Sequence, residues 1–393
     1  MNLESKKSLP ILFIVMFLVM VGFGIIIPVL PFYAENIGAS PTELGLLMAV
    51  YSIMQFLFAP MWGRLSDRIG RKPVIMIGIL GLSISFFLMA ISEQLWMLFL
   101  ARILGGFLSS ANMPTVMAYV ADITTEEDRG KGMGIIGAAT GLGFIFGPAI
   151  GGIFSEIALS LPFFIAGASS LFTFFLVIFV LKESLLIENR RMNSKRKAPW
   201  KEAIKSPVST LFYLQLFVSI SLAGLEATFA YFAAQKADLD AVKLGYIFMI
   251  MGLAQAFVQG GLIGRMTKKF GEGFVIQLGI IISGIGFGLI LLSNSFWTSA
   301  LYLTIFGIGN GLIRPGVSSL LTKKSGTGHG STTGMLSSFD SLGRIIGPPL
   351  GGWLFSISIG LPFVIGIGLS VVALFMFFVY TSKQKSIIME EQG

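Results

Sequence analysis

Across 393 residues, 54% are hydrophobic and only 12% charged, about half the charged share of a soluble domain, so a large soluble enzyme core is excluded in favour of a polytopic membrane protein. The formal charge of +8 does not imply nucleic acid, because 23 of the 28 lysines and arginines fall in alternate segments between apolar stretches or at the two ends. With no cysteine, and one histidine, His329, falling by spacing in the polar loop 323–331, a disulfide framework, a thiolate metal site and a histidine relay are excluded too, and no cofactor is expected.

Taken in order, residues 1–8 are short and basic, and Leu9–Tyr33 is too long an apolar run for a cleaved leader, so it reads as a retained first span. Leu44–Trp62, Val74–Ser92, Leu95–Val120, Gly132–Ser155 and Leu159–Leu181 follow. Each is near or above the ~20 residues that carry a helix across the bilayer core. Residues 182–207 form the longest polar stretch and read as a cytoplasmic linker, with Trp200 among lysines as a candidate interfacial helix. Six further spans are predicted at Val208–Gln235, Leu244–Gly264, Phe274–Ser293, Phe296–Leu321, Thr332–Ser356 and Leu361–Thr381.

Twelve spans place both termini on one side. That side collects Lys6, Lys7, Arg64, Arg68, Arg71, Lys72, Arg129, Lys131, the linker cluster, Arg265, Lys268, Lys269, Lys323, Lys324, Lys383 and Lys385. The other side has only Lys236 and Lys243, so both termini are assigned to the cytoplasm. The expected fold is an all-α integral membrane protein of two pseudo-symmetric six-helix bundles, 1–181 and 208–393.

An internal repeat supports that division. Gly143-Phe-Ile-Phe-Gly147-Pro148-Ala-Ile-Gly151-Gly152 returns about 200 residues later as Gly343-Arg344-Ile-Ile-Gly347-Pro348-Pro-Leu-Gly351-Gly352. Both copies are followed by Leu-Pro-Phe. Gly143, Gly147 and Gly151 share one helix flank, which lets another backbone approach closely where lipid removes the hydrophobic drive. Pro148 should kink the helix. Two smooth, kinked helices, one per half, suggest a sliding or rocking seam. The segment 63–70 likewise aligns with 264–271, and Pro114 with Pro315.

No nucleotide-binding loop, nucleophile elbow or zinc-protease signature is present. The positive signals are ionisable residues inside spans: Arg102, Glu226, Arg314, Asp340 and Arg344. Each costs ~2.5–3.5 kcal/mol or more at a helix centre and so faces a cavity or a partner. Asp340 and Arg344 are four apart and can neutralise one another, with Arg314 close enough in depth to join an ion-pair cluster. Glu226 has no base nearby in its own span; an unpaired carboxylate in low dielectric favours its neutral form and can exchange a proton.

Gly63-Arg64-Leu65-Ser66-Asp67-Arg68-Ile69-Gly70-Arg71-Lys72 resembles the second-loop signature of the major facilitator superfamily, and the resemblance covers nearly the whole chain. Arg102, in Leu100-Ala-Arg102-Ile-Leu-Gly-Gly106, matches the family's fourth-span arginine, implicated in proton coupling. Gly137, Gly141, Gly147, Pro148, Gly151 and Gly152 are similar to the fifth-span motif of the twelve-span drug:proton antiporters. Glu226 takes the place of the seventh-span carboxylate of Gram-positive multidrug, quinolone and tetracycline pumps of the NorA and Bmr type. Asn310 stands where those pumps commonly carry an acid before Ile-Arg-Pro.

The resemblance implies proton-coupled export of amphipathic, cationic or zwitterionic drugs by a monomer in a bacterial cytoplasmic membrane. Asp67, Arg68, Arg71 and Arg129, with Gly63 and Gly70, would form a cytoplasmic gate, and Glu226, alone or with Asp340, the coupling site. Some of the 36 phenylalanines and 19 methionines would line an adaptable pocket. The alternatives are an exporter of one substrate (a tetracycline-like drug, a sugar or an endogenous metabolite) and an uptake symporter.

Overall fold

A computed structural model describes residues 3–185, 209–324 and 329–392, all of it helix and short connection. Most of the predicted linker, with Trp200, lies outside the described residues. The helices are α1 (Leu3–Asn36), α2 (Pro41–Ile69), α3 (Arg71–Ala90), α4 (Leu95–Ser109), α5 (Asn112–Ile123), α6 (Glu126–Ser155) and α7 (Leu161–Val180). After the linker come α8 (Ser209–Ala237), α9 (Ala241–Phe257), a π-helical turn (Val258–Leu262), α10 (Ile263–Ile290), α11 (Phe296–Lys324), α12 (His329–Ile357) and α13 (Leu361–Gln392). His329 is therefore the first residue of a helix rather than a loop residue.

Ten stretches among the described residues are long and apolar enough to cross a membrane. One of them, Ala241–Ile290, is 50 residues long and breaks at Gly271, whose φ of 80° and ψ of 161° are non-helical. It supplies two crossings. The 29-residue α12 carries Asp340, Arg344 and two prolines and falls short of that apolarity, although its length suffices. Counting it and both legs of the long stretch gives the twelve crossings. The predicted fourth span is two helices, α4 and α5, interrupted at Ser110–Ala111 ahead of Pro114.

Local chemistry sets several boundaries. Before α2, Ser40 accepts from the Glu43 amide at 3.3 Å while Glu43 Oε2 accepts from the Ser40 amide at 2.8 Å, a reciprocal cap with Pro41 at the first turn. Thr125 caps α6 through the Asp128 amide at 3.3 Å. Gly70, with φ 110°, turns the chain between α2 and α3 in a conformation that side-chain-bearing residues avoid, and Gly271 repeats it in the second copy.

The chain divides into two compact units, residues 1–195 with 240–249, and residues 196–239 with 250–393. In the first, α1 packs along α6, and α3 lies against α4 and α7. Phe86, Tyr119 and Phe163 are fully buried there, and the Tyr33 hydroxyl donates to the carbonyls of Ala90 and Ser92. The segment 240–249 joins this unit where a Cβ on Gly152 would lie 2.8 Å from the Ala241 carbonyl oxygen. In the second unit, α8 packs along α12 and α10 along α11. Phe212, Ile276, Val317, Phe339 and Phe377 form its core.

Candidate functional site

Four intramembrane charges of the second unit form two ion pairs, and the pairing differs from the expected one. Arg344 does not neutralise Asp340 on its own helix; its Nη1 donates to Glu226 Oε2 on α8 at 3.3 Å. Asp340 instead has Arg314 Nη2, from α11, 2.7 Å from its Oδ2, and its Oδ1 accepts from Gln215 Nε2 and Ser219 Oγ, both at 2.6 Å. Glu226 is thus paired, against the expectation of an unpartnered acid. The reason is rotational: α8 and α12 present the two acids at different heights of one seam, and each arginine reaches across rather than along its helix.

Exposure is unequal within the pairs. Both carboxylate side chains are 14% exposed, whereas Arg314 is 60% and Arg344 45% exposed. Half-exposed guanidinium groups inside a spanning segment cannot lie against hydrocarbon, so this face of α8, α11 and α12 borders water. The two acids also differ in how firmly they are held. Among the described residues, three groups contact Asp340 and one contact of 3.3 Å ties Glu226.

Asn310 makes no hydrogen bond with either acid. It is buried and lines a cavity of about 20 Å³ inside the second unit, with Ser221, Ser283 and Ser370. Ser283 Oγ there is buried without a partner, and the space suits one water molecule.

In the first unit Arg102 is buried at 5% exposure. Its guanidinium stacks 4.5 Å from the Tyr51 ring centroid, and its Nε donates to the Leu47 carbonyl at 3.4 Å. The Tyr51 hydroxyl shares a hydrogen bond with Ser109 and accepts from Gln55 Nε2. No carboxylate pairs with Arg102 among the described residues.

The predicted cytoplasmic gate centres on Arg71. Its guanidinium contacts Asp67 Oδ1 at 2.6 Å, Asp122 Oδ2 at 2.9 Å and Ser66 Oγ at 2.7 Å. Glu183 accepts from the Arg71 and Lys72 amides at 2.8 and 3.1 Å, capping the start of α3, where the helix dipole favours an anion. Gly63 supplies the carbonyl that receives Ser66 Oγ. Arg68 and Arg129 are exposed, and the carboxylates that contact the Arg71 guanidinium are Asp67 and Asp122.

Asp122 and Glu183 escaped sequence reasoning because neither belongs to the loop motif. The repeat was the available signal. The positions 201 residues after Arg71 and Asp122 hold Glu272 and Lys323, and these form an ion pair with charges reversed.

Asp122→Asn is expected to lower stability by about 1.5–3 kcal/mol, the value of a hydrogen bond to a charged group. Asp67→Asn should cost less, because Asp67 is 48% exposed against 21% for Asp122. Thermal unfolding of the purified protein in detergent compares the two, and equal losses would remove Asp122 from the centre of the network.

Gly147 and Gly347 each make a close joint within their own unit. A Cβ on Gly147 would lie 2.6 Å from Gly24 Cα and 2.7 Å from the Val21 carbonyl oxygen of α1. In the second copy Gly347 meets Ile220 and Gly224 of α8 in the same way. A Cβ on Gly137 or Gly141, by contrast, would meet nothing within 4 Å among the described residues. The motif therefore holds two flanks, one closely packed and one open.

The family model described as Major Facilitator Superfamily matches residues 12–271 and 260–388. The chain belongs to the major facilitator superfamily. As a member it is a transporter, not an enzyme. This superfamily transporter is similar to Multidrug resistance protein 2 of Bacillus subtilis, 33% identical over 382 residues that span 94% of this chain and 96% of that one. Multidrug resistance protein 1 of the same organism is 35% identical over 362 residues, 92% and 93% of the two chains. Quinolone resistance protein NorA of Staphylococcus aureus is 30% identical over 393 residues, 99% and 100% of the two chains. In fold, the transporter resembles the human organic anion transporter MFSD10, with a TM-score of 0.70 at 22% identity over 96% and 100% of the two chains. It also resembles the nucleoside transporter NupG, with a TM-score of 0.79 at 16% identity over 97% and 99%.

Proposed function

We propose that this transporter exports amphipathic cations or zwitterions, drugs among them, in exchange for protons, with Glu226 as the group that proton and substrate occupy in turn. The observation that carries this reading is the loose hold on Glu226: a single 3.3 Å contact to a guanidinium that borders water. A carboxylate so placed exchanges its counterion readily, whereas Asp340, held from three sides, is a structural anchor. Full-length similarity to multidrug and quinolone resistance proteins supports the outward direction and the substrate class. Alternating access between the halves 1–181 and 208–393, joined by the linker, would carry the exchange, with both termini in the cytoplasm.

Everted vesicles driven to an acidic interior provide the test. Adding tetraphenylphosphonium or ethidium should raise the interior pH as protons leave in exchange. An interior pH that does not respond, while the compound is still taken up, would exclude antiport.

A further inference from the structure

This inference rests on the reading of Glu226 as the proton carrier. Each time Glu226 is neutralised, Arg344 loses its counterion inside a spanning helix, a costly state for a cation. The next acid lies on its own helix, since Asp340 is one turn N-terminal, the spacing and order in which an acid and a base pair best. Helical side chains also lean towards the N-terminus, so Arg344 would by default lie over Asp340. That it reaches Glu226 instead makes the intrahelical position a ready alternative.

Asp340 Oδ2 is the acceptor that this spacing offers. Its Oδ1 is taken by Gln215 and Ser219, but its Oδ2, although 2.7 Å from Arg314, is buried and accepts no hydrogen bond. An unmatched lone pair on a buried carboxylate favours a further donor, and a guanidinium has five. Arg344 is 45% exposed and held by one contact, so little restrains it. Within the apolar parts of the helices packed against α8, the charged groups are Arg344 and Asp340 on α12 and Arg314 on α11, while Lys323 at the end of α11 is paired with Glu272. Tyr213 and Tyr231 on α8, Tyr302 on α11 and Tyr380 on α13 are the titratable hydroxyls.

We infer that Arg344 is a two-position counterion, holding Glu226 while that carboxylate is ionised and moving one turn to Asp340 Oδ2 when Glu226 takes up a proton or a cationic substrate. The proton passes from water to a Glu226 carboxylate oxygen and back to water, and the guanidinium keeps all its protons. Arg344 thereby acts as a positioning residue: its return expels whatever Glu226 holds, and Asp340 gives it somewhere to wait.

The test is the pH dependence of tetraphenylphosphonium binding to the purified full-length transporter in detergent. R344Q should move the binding midpoint up by about one pH unit, a tenfold firmer hold on the proton, because the ionised acid loses its partner. D340N should move it down by a similar amount, and this shift should largely vanish when D340N is made in the R344Q background. A D340N shift that is absent, or equal in both backgrounds, would mean fixed electrostatics and would overturn the switch. A second readout leaves residue 340 unchanged. The guanidinium resonance of Arg344, assigned by its loss in R344Q, should move when the cation is added and stand at the bound position throughout in E226Q. A resonance that does not move overturns the inference. Failure of the underlying reading is separate, because it would show as pH-dependent binding that persists in E226Q.

Discussion

Glu226→Gln is expected to abolish proton-driven export while leaving the protein folded. Glutamine is nearly isosteric, so the substitution leaves the packing around residue 226 in place. The amide, however, cannot take up or release a proton. Exchange of one proton for one monovalent cation moves no net charge, so the pH difference alone drives it, at about 1.4 kcal/mol per unit. Each unit of pH across the membrane therefore sustains roughly a tenfold substrate gradient. In the variant that gradient should collapse to none, measured as ethidium accumulation in energised everted vesicles against vesicles lacking the transporter. Retained accumulation would transfer the coupling role to Asp340, the remaining acid of the same charge cluster.

Gly147→Leu should have the largest structural effect of any single change in the fifth-span motif. The added side chain would start 2.6 Å from Gly24 Cα and 2.7 Å from the Val21 carbonyl. These are backbone atoms that cannot rotate away, so α1 and α6 must separate along one of the two most extensive helix packings in the molecule. Even Gly147→Ala should cost about 1–3 kcal/mol, the usual range for overpacking, and leucine should leave little folded protein. Gly141→Ala is the matched control, on the same helix with nothing within 4 Å of the new methyl group. Its thermal unfolding midpoint in detergent should match the wild type. Equal tolerance at both positions would show that the close approach at Gly147 is not required.

The same contrast separates what was legible in the sequence from what was not. Glycines four apart, a proline one residue on and a copy 200 positions later identified a closely packed helix flank in each half, and the structure has both. The partner of each flank was not legible. Spacing shows that a helix is smooth on one side but not which helix lies there: Gly147 meets α1 and Gly347 meets α8, while Gly152 of the first copy meets Ala241. Gly137 and Gly141 belong to the same motif by spacing and are separated from it by helical phase alone.

Composition, the distribution of basic residues and the repeat by themselves determined a helical membrane protein of twelve crossings, because hydrocarbon admits few alternatives and each crossing needs a long apolar run. They also singled out Glu226, Asp340, Arg314 and Arg344, because a charge inside a span is costly enough to stand out. Only the tertiary structure decided how those charges pair. Asp340 with Arg344 was the local solution, four residues apart on one helix. The observed pairs, Glu226 with Arg344 and Asp340 with Arg314, join residues 118 positions apart in the first case and lie across helices in both. Their choice depends on the rotation and height of α8, α11 and α12 about a common core, a property of packed helices that no single segment carries. Asp122 and Glu183 reached Arg71 in the same way, from 51 and 112 residues away.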